Sequence, residues 1–143
     1  MTRKKPKKNT WQDHYARRAK KEQFPARSVY KLQEIQQKFK LLRPGQLVLD
    51  LGCAPGSWLL YAAKVVGDKG QVVGVDLKPV SGKIPANTVV HTGDVFDGDA
   101  GFWDQVEDPF DLVLSDMAPS TTGSSSVDAA RSFYLCEAAL AVA

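Results

Sequence analysis

A chain of 143 residues with 43% hydrophobic and 24% charged residues holds one domain of ordinary globular composition. No apolar run approaches the roughly 20 residues that span a bilayer, and the amino terminus is basic and polar where a secretory signal carries an apolar core, so a cytoplasmic protein without a membrane partner is expected. Two cysteines, Cys53 and Cys136, exclude a disulfide framework and lack the paired spacing of a zinc site; reduced thiols and no metal are expected.

The net charge of +3 conceals an asymmetry: residues 1–31 carry 11 Lys or Arg against Asp13 and Glu22, a balance of +9, and the remainder stands at −6. A basic arm on an acidic domain suits a polyanionic partner, because Lys and Arg that neutralise phosphates release counterions. Residues 1–12 are expected to form a basic, disordered arm; a solubilising tail is the competing reading for Arg3 to Lys8. Residues 13–143 are expected to form the domain.

From Trp11 to Lys40 the spacing of Val29, Leu32, Ile35 and Phe39 has helical period, with Pro25 dividing the region. The turn Arg43-Pro44-Gly45 leads into Leu47-Val48-Leu49-Asp50-Leu51, a short apolar run of buried-strand type ending at Gly52. Ser57 to Val66 reads as a helix stopped near Gly67 and Gly70, and Gln71 to Leu77 as a second strand. Thr88 to His91 is a third strand, Phe102 to Val106 a brief helix, and Asp111 to Asp116 a fourth strand. From Val127 onward the residues favour a helix still in progress at Ala143. The order predicts a Rossmann-like α/β domain with a mostly parallel sheet. Four strands are fewer than such a sheet normally has, so an incomplete domain lacking its carboxyl-terminal part is expected.

Asp50-Leu51-Gly52-Cys53-Ala54-Pro55-Gly56-Ser57-Trp58 places two glycines and a proline between a strand and a helix, at the carboxyl end of the sheet where open α/β folds bind ligands. The dinucleotide pattern G-x-G-x-x-G is not met, since three residues separate Gly52 from Gly56 and no third glycine follows. Asp76 closes the second strand, where an acidic side chain commonly accepts from ribose hydroxyls; an adenosine ribose is implied. Asp94 closes the third strand, where it either accepts from an adenine amino group or caps a turn. Trp58 packs against a cofactor or in the core.

Leu-Asp-Leu-Gly-Cys-Ala-Pro-Gly-Ser-Trp at 49 to 58 resembles the S-adenosylmethionine loop of the FtsJ family of ribosomal RNA methyltransferases. The resemblance extends to Ala26-Arg27-Ser28-Val29-Tyr30-Lys31-Leu32, Arg43-Pro44-Gly45, Ser115-Asp116-Met117-Ala118-Pro119, and Asp128 with Arg131-Ser132. It implies an S-adenosylmethionine-dependent methyltransferase fold, with Gly56, Trp58, Asp76, Asp94 and Asp116 at cofactor-binding positions. Ser57 stands where the family more often has a second glycine. The family's catalytic set resembles Lys, Asp, Lys, Glu in chain order. Lys31 and Asp116 match the first two, and the other two are expected beyond residue 143.

A ribose hydroxyl is a weak nucleophile, so methyl transfer from a sulfonium needs alignment and help with the proton. A lysine beside a carboxylate keeps its ammonium, so Lys31 is expected to orient the oxygen, and the family's proton acceptor is the later lysine. The 143-residue chain alone is expected to be an inactive, monomeric piece of the enzyme. The resemblance implies 2′-O-methylation of a ribose, a uridine, in large-subunit 23S ribosomal RNA. The alternatives are a transfer RNA methyltransferase of the same family, a non-catalytic RNA-binding remnant, and an oxidoreductase on a dinucleotide fold.

Overall fold

The computed structural model describes residues 10–96, 100–104 and 106–143, so residues 1–9 of the expected arm lie outside the described residues. Thr10 to Gln12, assigned to that arm, instead open helix α1 (Thr10–Lys21). Its charges explain the early start: Asp13 sits in the first turn and Arg18, Lys20 and Lys21 in the last, each favourable to the helix dipole. Helix α2 (Val29–Phe39) follows and ends at Lys40, which takes a left-handed conformation at φ 50°. The Gln36 carboxamide then fixes the exit, donating to the Leu42 carbonyl and accepting from the Leu42 amide at 2.8 Å each.

The rest of the chain runs β1 (Leu47–Leu51), α3 (Ser57–Val66), β2 (Gln71–Asp76), β3 (Thr88–Thr92), α4 (Ala100–Trp103), β4 (Leu112–Ser115) and α5 (Ser125–Val142). The brief helix expected at Phe102 to Val106 lies earlier. Phe102 is buried edge-on against His91, with ring centroids 5.0 Å apart, and against Trp103 at 4.7 Å. That aromatic contact sets the turn, and the chain then leaves the helix with the Val106 amide on the Trp103 carbonyl.

All strand pairs are parallel, in the order β3-β2-β1-β4. Leu51 lies opposite Val75 of β2 on one side and opposite Ser115 of β4 on the other. Asp111 pins the start of this register: its amide donates to the Leu47 carbonyl and its carboxylate accepts from the Leu47 amide, both at 2.8 Å. The chain travels outward from β1 to β3 and returns to β4 on the opposite side, which makes β1 the point where the winding reverses.

Alternation along β1 divides the core. Val48 packs with Leu32, Trp58, Leu59, Ala62 and Val72 beneath α2 and α3, while Leu49 and Leu51 pack with Val75, Phe102 and Ala139 on the other face. The connection from β2 to β3 is tied to α3 by Asn87, whose side-chain amide donates to the carbonyls of Ala63 and Gly67 at 3.0 Å each. Backbone amides share these carbonyls, Gly67 donating to Ala63 at 3.1 Å and Gly70 to Gly67 at 3.0 Å, so Asn87 adds a second hydrogen bond to each at the end of α3. Asn87→Ala should therefore cost about 0.5–1.5 kcal/mol. The expected reading is a lower urea midpoint with an unchanged slope, and an unchanged midpoint would contradict the assignment.

Candidate functional site

At the carboxyl ends of the strands the backbone turns sharply out of β1. Gly52 has φ +73°, and its amide donates to the Val75 carbonyl at 2.8 Å. A Cβ at Gly52 would run into the Met117 side chain, so the close approach of this loop to the segment after β4 requires glycine. Gly56, at φ +116°, caps α3. Between them Asp76 holds the loop from the neighbouring strand: one carboxylate oxygen accepts from the Ala54 amide at 2.9 Å and the other from the Lys78 amide at 2.8 Å. Each oxygen keeps a second lone pair for a ligand.

The crevice so formed is a cavity of about 430 Å³ lined by Gly52, Asp76, Asp94, Asp116, Met117 and Leu135 among others. Three of the sequence-derived positions, Asp76, Asp94 and Asp116, therefore meet in one space. Asp94 also makes a turn, accepting the Phe96 amide on one oxygen at 2.9 Å. Gly56 and Trp58 do not line this cavity. Trp58 is 7% exposed and its indole N–H donates to the Ser28 carbonyl at 2.8 Å. Beside it, the Ser57 hydroxyl accepts from the Ala26 amide at 2.7 Å and donates to the Ala26 carbonyl at 3.1 Å. The start of α3 thus grips the residues that lead into α2. The sequence leaves Trp58 open between the cofactor and the core; in the structure it is buried and anchors the segment that carries Lys31.

The consequence appears one turn into α2. Lys31 Nζ donates to Asp116 Oδ1 at 2.6 Å, joining residues on α2 and just after β4. The lysine side chain is 60% exposed and the aspartate 30%, so the pair stabilises the fold by at most about 1 kcal/mol. What it provides is alignment: an ammonium and a carboxylate at the rim of the crevice.

Sequence reasoning missed Asp50. It is 1% exposed at the end of β1, and its Oδ2 is buried with no hydrogen-bond partner among the described residues. It lines a small recess of about 50 Å³ with Ser28, Gly52, Ala54, Trp58 and Asp116. Burial, reinforced by the charges of Asp116 and Asp76, pushes its carboxyl up from 3.8 to about 8. The adjacent Cys53 thiol is pushed up to about 12 by burial and then by Asp50 and Asp76, which leaves it unreactive. The signal was present in the sequence as an acidic residue inside an otherwise apolar buried-strand run.

Asp76, Asp94 and Asp116 line the crevice with carboxyl groups and Asp50 lies in the recess beside it, without forming a metal-ligand cluster among the described residues. An orphaned buried carboxyl flanked by two others suits a cationic ligand, and the sulfonium and ammonium of S-adenosylmethionine fit that demand. The pyrophosphate of a dinucleotide would be repelled by the same groups. A parallel sheet with a glycine loop and carboxylates at its winding reversal defines an S-adenosylmethionine-dependent methyltransferase of the α/β class. A solved structure from Plasmodium falciparum, described as a ribosomal RNA methyltransferase, shares this fold with a TM-score of 0.71 and 25% identity, over 80% of this chain and 68% of that one.

The chain belongs to the FtsJ-like methyltransferase family, whose model matches residues 24–143. It is 57% identical over 139 residues to the ribosomal RNA large subunit methyltransferase E of Desulforapulum autotrophicum, a match covering 97% of this chain and 68% of that protein. The enzyme of the same name in Desulfatibacillum aliphaticivorans is 56% identical over all 143 residues, which cover 69% of its length.

A carboxyl whose folded value lies above its unfolded one holds a proton that the unfolded chain has lost. The stability contributed by neutral Asp50 is present below pH 4 and is lost as pH rises towards 8. Asp50→Asn keeps the shape and removes the titration. Its stability relative to the natural protein should therefore improve between pH 5 and pH 8, read as diverging urea midpoints. Parallel midpoints across that range would show that Asp50 does not titrate as its burial requires.

Proposed function

We propose that the protein methylates the 2′-hydroxyl of a ribose, a uridine, in large-subunit ribosomal RNA, as a cytoplasmic enzyme that draws its methyl group from S-adenosyl-L-methionine. The Lys31–Asp116 pair at the rim of the crevice carries this reading. A ribose hydroxyl can be held between an ammonium, which stabilises negative charge growing on oxygen, and a carboxylate, which accepts its hydrogen bond. The segment Met117-Ala118-Pro119 after Asp116 lacks the aromatic of an Asn-Pro-Pro-Tyr loop, which disfavours methylation of an exocyclic amine.

The cofactor supplies an electrophilic methyl on a sulfonium. Asp76 would accept from its ribose hydroxyls with the lone pairs left free by Ala54 and Lys78, and Asp94 would accept from the adenine amino group with the oxygen not used by Phe96. Asp50 and Asp116 would face its cationic end. Gly56 shapes the loop at the start of α3, and Trp58 holds α2 so that Lys31 reaches Asp116. Catalysis by this chain's residues is then alignment of the oxygen with the methyl carbon, with the proton passing to a base outside the Lys31–Asp116 pair.

Methyl transfer to large ribosomal subunits from cells lacking the activity tests this proposal. Lys31→Ala and Asp116→Ala should each lower the rate by about a hundredfold or more. The double variant should fall short of the product of the two losses, because both groups act on one transition state. Wild-type rates in both single variants would remove the pair from the mechanism. Asp76→Ala should weaken cofactor binding by about 1.5–3 kcal/mol in a calorimetric titration; equal affinity would overturn the ribose assignment.

A further inference from the structure

A second cavity is larger than the crevice. It is an open groove of about 750 Å³ between α1 and α2, and it runs to Lys31. Aromatic rings form a ladder along it: Trp11 stands 5.7 Å from Tyr15 and Tyr15 stands 5.3 Å from Tyr30, centroid to centroid. The Arg18 guanidinium caps the ladder 4.5 Å above the Tyr30 ring. Glu22 fixes it there, taking the Arg18 N–H at 2.8 Å and the Tyr30 hydroxyl at 3.0 Å. Trp11 leaves 71% of its surface in solvent, an unusual cost for the largest side chain unless something covers it.

We propose that this groove cradles unpaired nucleotides flanking the methylated ribose, with Trp11 and Tyr15 as stacking faces for bases and Arg27 beside Lys31 as a contact for phosphate. The proposal rests on the RNA reading above and names the part of the RNA involved. Four features support it. Ring faces at the mouth of a groove receive bases only when those bases are not already stacked in a duplex. Arg18, Arg27 and Lys31 line the groove, with Glu34 as the acidic side chain among its lining residues. The surrounding charge directs a polyanion to this side, since residues 10–31 carry six Lys or Arg against Asp13 and Glu22 and residues 32–143 stand at −6. The groove also ends on the ammonium that holds the hydroxyl, so a strand lying in it leads directly to the reacting position.

The test is anisotropy of a fluorescein-labelled large-subunit ribosomal RNA hairpin with an unpaired loop, compared with the same sequence as a full duplex, using the natural protein loaded with cofactor. Trp11→Ala and Tyr15→Ala should each weaken hairpin binding about tenfold or more, Trp11→Phe should retain most of it, and duplex binding should be weaker and indifferent to all three. Cofactor affinity by calorimetry should not change. Hydroxyl-radical footprinting read by mass spectrometry should show Trp11 oxidised in the free protein and protected by the hairpin. Equal hairpin affinity in all variants would overturn the groove while leaving methyl transfer, and hence the function, standing. Failure of the unaltered protein to methylate any RNA, with hairpin binding still lost in Trp11→Ala, would sink the function and keep the groove. Protection of Trp11 without RNA would assign the groove to the protein's own chain, and competition by poly-glutamate equal to that by RNA would assign it to an acidic polypeptide; either result overturns the proposal.

Discussion

Strand β1 has hydrogen-bonded neighbours on both sides, and the chain winds away from it in opposite directions: first to β2 and β3, later to β4. The connection leaving β1 runs to α3 on one face of the sheet and the one leaving its neighbour β4 runs to α5 on the other, so a crevice must open between the carboxyl ends of these two strands. Every residue assigned to the site descends from that constraint. Gly52 turns out of β1 against Met117, Asp76 reaches over from β2 to hold the turn, and Asp116 comes down from β4.

The site gathers more carboxyl groups than the fold alone would favour. Asp50 has no partner for Oδ2 among the described residues and sits where Asp76 and Asp116 both disfavour its ionisation. A methionine-like or leucine-like side chain would pack there without that penalty, and large-scale burial of unpaired carboxyls is rare. Stability is lowered where the proposed site would receive the cofactor's positive charge, which is how binding sites commonly differ from cores. The Lys31–Asp116 pair shows the same priority. It adds little stability, yet Ser57, Trp58 and the capped exit of α2 all serve to hold its lysine in place.

Much of this was legible in the sequence because it depends on local patterns. The apolar run Leu47–Leu51 and the helix Ser57–Val66 have the bounds read from the residues, since glycines punctuate both. The family resemblance named Asp76, Asp94 and Asp116, and the structure gathers them in one cavity. What depends on contacts between distant segments was not legible. No period predicts that Trp58 turns its N–H to Ser28, that Ser57 grips Ala26, or that Phe102 meets His91 and pulls α4 towards the sheet. The start of α1 at Thr10 was hidden because a run of charges reads equally as a solvated tail or as a helix whose charges suit its dipole. Asp50 was visible as a letter, but its isolation was not.

The central claim is that the oxygen held by Lys31 and Asp116 belongs to a ribose. Alkali cleaves RNA through the 2′-hydroxyl, so a methyl on that oxygen protects the adjoining phosphodiester bond. Large-subunit ribosomal RNA labelled by the natural protein with radioactive S-adenosylmethionine should therefore release its label, after complete alkaline hydrolysis, in a dinucleotide that begins with a 2′-O-methylated uridine. Label recovered in mononucleotides would place the methyl on a base and contradict the account.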